Sequence, residues 1–231
     1  MGFVARVLAV EQINRAGGVQ GRKIELVVRD DAQNRETATK AASELVAAKV
    51  EAVIGPFTSG MAEVVVPVLA GNDTLAISPT VTSMDFVGKN DNLVRINRAS
   101  RDNARDYARV MFRRGERKVA VACDERNRSF TLSWLNEFRA AFAKQGGEVV
   151  AEVAYESRPD TDFGAVVGAM LKKGPDSLLF VAGAIDVARL AQQARRQAPT
   201  LPIGASEWAA SEQLIELGGK VVEGLLIVQN Y

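Results

Sequence analysis

Apolar residues in this chain fall into short runs that alternate with longer stretches carrying an apolar side chain every third or fourth position. The short runs, over residues 23–29, 52–54, 75–77, 118–123, 148–155, 176–182, 201–204 and 222–228, are too brief for helices and predict buried strands. Between them, residues 35–49, 131–144, 162–173 and 186–197 have helical spacing, with Ala38, Ala41, Ala42, Leu45 and Val46 forming one face of the first. A helix over residues 3–14 opens the chain and stops at Gly17-Gly18, and Asp102 is placed to cap another that carries Ala104, Tyr107, Ala108 and Met111. A short helix over 211–217 precedes the last strand. Strands alternating with helices of this length form βα units and parallel sheets. Residues 44–65 and 169–190 share the order helix end, acidic residue, apolar strand, small-residue loop, helix, which hints at two similar halves.

The chemistry concentrates in residues 50–82. The strand at 52–54 stops at Gly55-Pro56, and Thr58, Ser59 and Gly60 then open an apolar helix. That places backbone N–H groups and two hydroxyls at a helix N-terminus, where orphan donors and the helix dipole favour an anion. The next strand ends in Ser78-Pro79-Thr80-Val81-Thr82, a second hydroxyl cluster. Ligands of open parallel sheets sit beyond the carboxyl ends of the strands, so both loops are expected to face one crevice. Ser and Thr are also ordinary caps and turn formers. A lone loop of this kind is more often only a cap, and the pair leaves both readings open.

Composition narrows the function. With 231 residues, 47% of them apolar, the chain can build sizeable cores. Its 29 basic and 28 acidic residues leave a net charge of +1, which gives no electrostatic case for nucleic acid or an anionic membrane as a partner. The absence of histidine removes His-paired nucleophiles, His-ligated metals and imidazole catalysis. The single Cys123 lies in an apolar run, as an inert buried thiol would. GxGxxG and GxxxxGK[ST] loops are missing, and Asp30-Asp31 reads as a strand end and loop cap, so no enzyme activity, metal or cofactor is expected.

These residues resemble a known family. The segment INRAGGVQGRKIEL, the Asp30-Asp31 pair and the IGPFTS loop are similar to the amino-terminal lobe of type I periplasmic binding proteins, in the branch with the Leu/Ile/Val-binding proteins of ABC transporters. VVEGLLIVQNY resembles the family's crossing strand. The resemblance implies two Rossmann-like α/β lobes joined by hinge strands, here residues 1–98 and 99–231, closing on an amino acid or related small carboxylate. It implies a periplasmic protein that hands its ligand to a membrane permease, with a receptor's ligand-sensing domain as the alternative. By position, Ser59, Thr80 and Thr82, beside Thr58, hold the ligand's carboxylate, and Glu207 holds its ammonium. Where the family walls its pocket with tyrosines, this chain offers Arg128 and Gly183 or Ala184. Arg128 either faces solvent or points inward to suit a second carboxylate.

The chain also departs from the family in extent. Members begin with a strand before the first helix and continue past the crossing strand, and both pieces are missing from these residues. Apolar sheet edges are therefore expected to be covered by another segment or by another copy in a homodimer, or else to make the chain marginal in solution.

Overall fold

A computed structural model describes residues 2–228. Helix α1 (Gly2–Arg15) runs into a tight return at Gly18, whose φ of +78° and contact with the Arg22 carbonyl leave no room for a side chain. Residues 23–31 follow in extended form but pair with no strand among the described residues, so the strand expected over 23–29 is not formed. A strand exists only as one rail of a ladder. Here the Asn14 side chain supplies a single rung, accepting from the Ile24 N–H at 2.7 Å and donating to its carbonyl at 2.9 Å. Asp30 and Asp31 each accept from the N–H two residues on, the turn-capping role foreseen for them.

The first sheet follows. Helix α2 (Arg35–Ala47), capped by Asn34, leads into β1 (Ala52–Ile54), α3 (Ser59–Ala70), β2 (Leu75–Ser78) and β3 (Leu93–Arg95). The three strands are parallel in sequence order. Val53, Ala76 and Leu93 share one face and pack against Ala38, Ala42, Met61, Val65 and Leu69 of the two helices. The opposite face is open, with Ile54, Leu75 and Val94 exposed by 48%, 39% and 48%.

The chain then crosses to α4 (Ser100–Arg113) and a larger sheet. Its elements are β4 (Lys118–Asp124), α5 (Arg128–Ala143), β5 (Glu148–Tyr155), α6 (Phe163–Leu171), β6 (Ser177–Val181), α7 (Ala184–Gln197), β7 (Ile203–Ala205), α8 (Glu212–Gly218) and β8 (Leu226–Ile227). All strands are parallel, in the order β5-β4-β6-β7-β8. Asp102 lies in the first turn of α4 rather than at its cap, because the helix starts two residues earlier, where the Ser100 N–H donates to the Thr82 carbonyl at 2.7 Å. The last strand is shorter than residues 222–228, since a 3-10 turn at Gly219–Val222 follows the positive φ of Gly219. Residues 229–231 of the expected crossing segment lie outside the described residues.

The larger sheet buries both faces. Ala120, Ala122, Leu178, Phe180 and Ile203 meet α6 and α7, while Val119, Val121, Leu179 and Val181 meet α4 and α5. The stripe of α5 is aromatic at i, i+4 and i+8. Trp134 stacks on Phe138 at 5.4 Å between ring centroids, Phe138 stacks on Phe142 at 5.2 Å, and Tyr107 of α4 caps the column edge-on at 5.2 Å from Trp134. The Tyr107 hydroxyl donates to the Ala205 carbonyl and accepts from the Val228 N–H, tying the column to β7 and the chain's last described residue. Cys123 is buried in β4, and burial pushes its thiol up to about 12. The strand order reverses between β4 and β6, so the loops after them, 124–128 and 182–184, open the crevice where ligands of such sheets bind.

The two sheets differ in what truncation costs. Phe138→Ala should destabilise by about 3–5 kcal/mol and Val94→Ala, on the open face, by less than about 1 kcal/mol, as read from urea unfolding. Equal losses would show that the aromatic column is not the main packing element.

Candidate functional site

The site is built where α3 of the first sheet meets α5 of the second. At the N-terminus of α3, Thr58 is the cap, its Oγ1 accepting from the Met61 N–H at 3.3 Å. Ser59, 1% exposed, accepts at Oγ from the Ser83 N–H at 3.3 Å. The Gly60 N–H is taken from across the crevice: Asn127 Oδ1 accepts it at 2.9 Å in a buried contact. Part of the anion-binding capacity expected of this helix end is therefore met by a side chain of the second sheet's loop. The fit is close, since a Cβ on Gly60 would lie 3.4 Å from both Asn127 Oδ1 and the Arg126 carbonyl.

More contacts flank this one. Ser129 donates to Asp85 Oδ2 at 2.8 Å, and the Met84 N–H donates to Ser133 Oγ at 3.0 Å. Ser133 Oγ also lies 2.9 Å from Ser100 Oγ. Outside these bonds lies a cleft of about 730 Å³, lined among others by Arg35, Gly60, Met61, Asp85, Arg126, Arg128 and Ser129. Arg126 is pinned by two buried carboxylates, donating to Asp124 at 2.8 Å and lying 3.5 Å from Asp186, which joins the loops after β4 and β6. Its guanidinium is held protonated first by the Asp124 hydrogen bond.

Inside these bonds, the chain of contacts runs from Thr82 to Glu207. Thr82 is 3% exposed, and its hydroxyl has no partner. Its carbonyl is held by Ser100 at the start of α4. One turn on, Asn103 donates from Nδ2 to Glu207 Oε1 at 2.8 Å, and Trp134 Nε1 donates to Glu207 Oε2 at 3.0 Å. Burial raises the Glu207 carboxyl above its ordinary value, opposed by the hydrogen bonds from Asn103, its own backbone and Trp134.

The structure thus brings some of the sequence-flagged residues together and separates others. Ser59, Thr82 and Glu207 lie along a run that passes through Ser83, Ser100 and Asn103, while Thr58 bonds to Met61 of its own helix. Thr80 is exposed and donates to the Phe57 carbonyl at 2.7 Å. Arg128 lines the outer cleft with its side chain 63% exposed and paired to Glu125 at 3.3 Å. Gly183 caps α7 and lies under Trp208, which packs edge-on to Phe130. Asn103, Asn127, Ser133 and Trp134 were not singled out from the sequence, because an amide in a polar loop and a tryptophan in a helical stripe look like a solvated residue and a core residue. Among the described residues no cluster of His, Cys, Asp and Glu could hold a metal ion, and no helix is long and apolar enough to cross a membrane.

A family model described as periplasmic binding protein matches residues 3–231. The chain belongs to that family. Leu/Ile/Val-binding protein homolog 3 of Brucella melitensis is 29% identical over 226 residues, covering 94% of this chain and 59% of the relative. A leucine-binding protein, LivK, from Thermotoga maritima superposes with a TM-score of 0.87 at 26% identity, over 96% of this chain and 63% of its own. The substrate-binding protein LivJ of a branched-chain amino acid transporter from Streptococcus pneumoniae, solved with isoleucine, gives 0.84 at 25% identity, over 95% and 63%. The chain spans less than two thirds of the length of these relatives. Its α/β fold with parallel sheets is the type I fold that the sequence led us to expect, and the relatives are named as solute-binding proteins.

The buried bond between the two sheets has a measurable worth. Asn127→Ala leaves the Gly60 N–H without an acceptor and should cost about 1–3 kcal/mol in urea unfolding, whereas Asn127→Asp keeps an acceptor and should recover most of it. Equal stability of Asn127→Ala and wild type would mean that this contact is not formed in solution.

Proposed function

We propose that the two sheets with their helices, residues 1–98 and 99–231, are the lobes of a receptor that closes on a small aliphatic amino acid and hands it to the permease of an ABC transporter. The observation that carries this reading is the contact run from Ser59 and Thr82 to Glu207, in a chain whose family model spans nearly its whole length. The Thr82 hydroxyl, buried and unpartnered, is a donor suited to a ligand carboxylate, with the Ser59 hydroxyl beside the same loop. Glu207 already accepts one bond at each oxygen, and an ionised carboxylate has about four lone-pair sites, so capacity remains for an ammonium. The relatives named for leucine, isoleucine and valine support the aliphatic class, and their family name supports a periplasmic setting. The exposed pairing of Arg128 with Glu125 favours a solvent-facing charge at the cleft mouth over a second carboxylate site.

Closure in this scheme follows from differential contact. A ligand touching both lobes stabilises the closed arrangement by the free energy of the bonds it makes only there. The bonds from Asn127, Ser129 and Ser133 to the first lobe would add to that bias, with or without ligand.

Leucine, isoleucine or valine at ~100 times its dissociation constant should stabilise the chain by about 2.7 kcal/mol in a thermal-shift titration. Thr82→Val keeps the shape but removes a hydrogen bond to a charged group, and should weaken binding by roughly 10- to 150-fold. Absence of stabilisation by any of these amino acids would contradict the reading.

Acid adds a second check. An ammonium is held by the ionised form of Glu207, so affinity should fall as pH drops through that group's raised value, beginning above the range of an ordinary carboxylate. Glu207→Gln should bind more weakly and lose this pH dependence; a wild-type affinity that is flat with pH would exclude Glu207 from the contact.

A further inference from the structure

Asn103 is fully buried on α4, and its amide orientation is fixed by its neighbour. Glu207 Oε1 accepts from Asn103 Nδ2 at 2.8 Å, and Glu207 Oε2 accepts from Trp134, so the amide nitrogen is the atom that faces the carboxyl group. The amide oxygen is then turned away from Glu207, and that atom, Asn103 Oδ1, is buried without a donor. A buried acceptor without a partner is uncommon. Two more buried oxygens without partners sit on the same run of contacts, Thr82 Oγ1 at one end and Ser206 Oγ next to Glu207. Two of the three are hydroxyls that donate or accept; Asn103 Oδ1 accepts only. What it lacks is a donor-rich guest.

We propose that Asn103 is a specificity-determining residue whose Oδ1, together with Glu207, accepts hydrogen bonds from the ligand's ammonium, so that the site selects aminated over non-aminated carboxylates. An ammonium carries N–H donors in a tetrahedral arrangement, so separate donors of one group can reach the Glu207 carboxyl and the oxygen of the amide bonded to it. Trp134 holds the other Glu207 oxygen at 3.0 Å and is fully buried in the aromatic column, so the carboxylate is fixed before any ligand arrives. A ligand without the amine would leave both acceptors buried and unpaired, and sites built to satisfy such groups reject the analogue that cannot do so. The inference rests on the reading of the run from Thr82 to Glu207 as an amino acid site and adds to it the residue that discriminates the amine.

The test compares L-leucine with 4-methylpentanoate, its counterpart without the amine, by titration calorimetry on wild type, Asn103→Leu and Trp134→Phe. Wild type should prefer leucine strongly. Asn103→Leu, close in shape but without the oxygen, should lose at least about tenfold of that preference while its affinity for 4-methylpentanoate stays within about twofold. Trp134→Phe, which removes the other donor to Glu207 and keeps the Asn103 oxygen, should retain the preference. An unchanged preference in Asn103→Leu would overturn the proposal, as would wild type binding 4-methylpentanoate as tightly as leucine, a result that also decides the matter if the variants do not fold. That second result leaves a carboxylate-binding cleft intact. Failure of wild type to bind either compound would instead remove the amino acid site, and this inference with it.

Discussion

Helix α5 carries two jobs on opposite parts of one element, and the arrangement of the cleft depends on both. Its inward stripe of Trp134, Phe138 and Phe142 is stacked in the core against α4 and the larger sheet, where each ring is fully buried. Rings of this size, packed at near-interior density, hold a helix in one position and transmit small displacements. The same helix and the loop that starts it supply Asn127, Ser129 and Ser133 to the first sheet's loops and Trp134 Nε1 to Glu207. A shift of α5 would therefore disturb the core, the junction between the sheets and the buried carboxylate together.

That coupling explains how a polar site survives inside an apolar protein. Glu207 is costly to bury as an ion, and burial raises its proton affinity. Donors on two different helices, Asn103 of α4 and Trp134 of α5, offset part of that cost. The remaining unpaired oxygens are the feature a ligand would satisfy, and in the proposed scheme they turn binding energy into specificity. The junction works the other way. Asn127 satisfies the Gly60 N–H from across the junction, so in the proposed scheme the bonds of the chain itself support closure beside those of a ligand.

Much of this was legible in the sequence, and the exceptions have physical causes. The parallel βα architecture follows from apolar runs whose lengths fit buried strands, and the 148–155 run matches β5 residue for residue. Residues 23–29 have the right alternation but no ladder, because periodicity reports which face is apolar and says nothing of whether a partner strand is present. Thr58 and Ser59 were visible since caps have a local signature. Glu207 was visible only through family resemblance, as a single acidic residue in a loop looks solvated. Asn103 and Asn127 left no signal, because their importance lies in partners 104 and 67 residues away. Arg128 was conspicuous for its charge, yet it pairs locally with Glu125 in the open cleft.

In the proposed function one small amino acid touches both sheets at once, at the N-terminus of α3 and at the loop after β7. Hydrogen exchange with and without saturating leucine tests this most directly, since amides in residues 59–61 and 205–208 belong to different sheets. Slower exchange in both segments on adding leucine is the result this account predicts. Protection confined to one segment, or none in either, would contradict it.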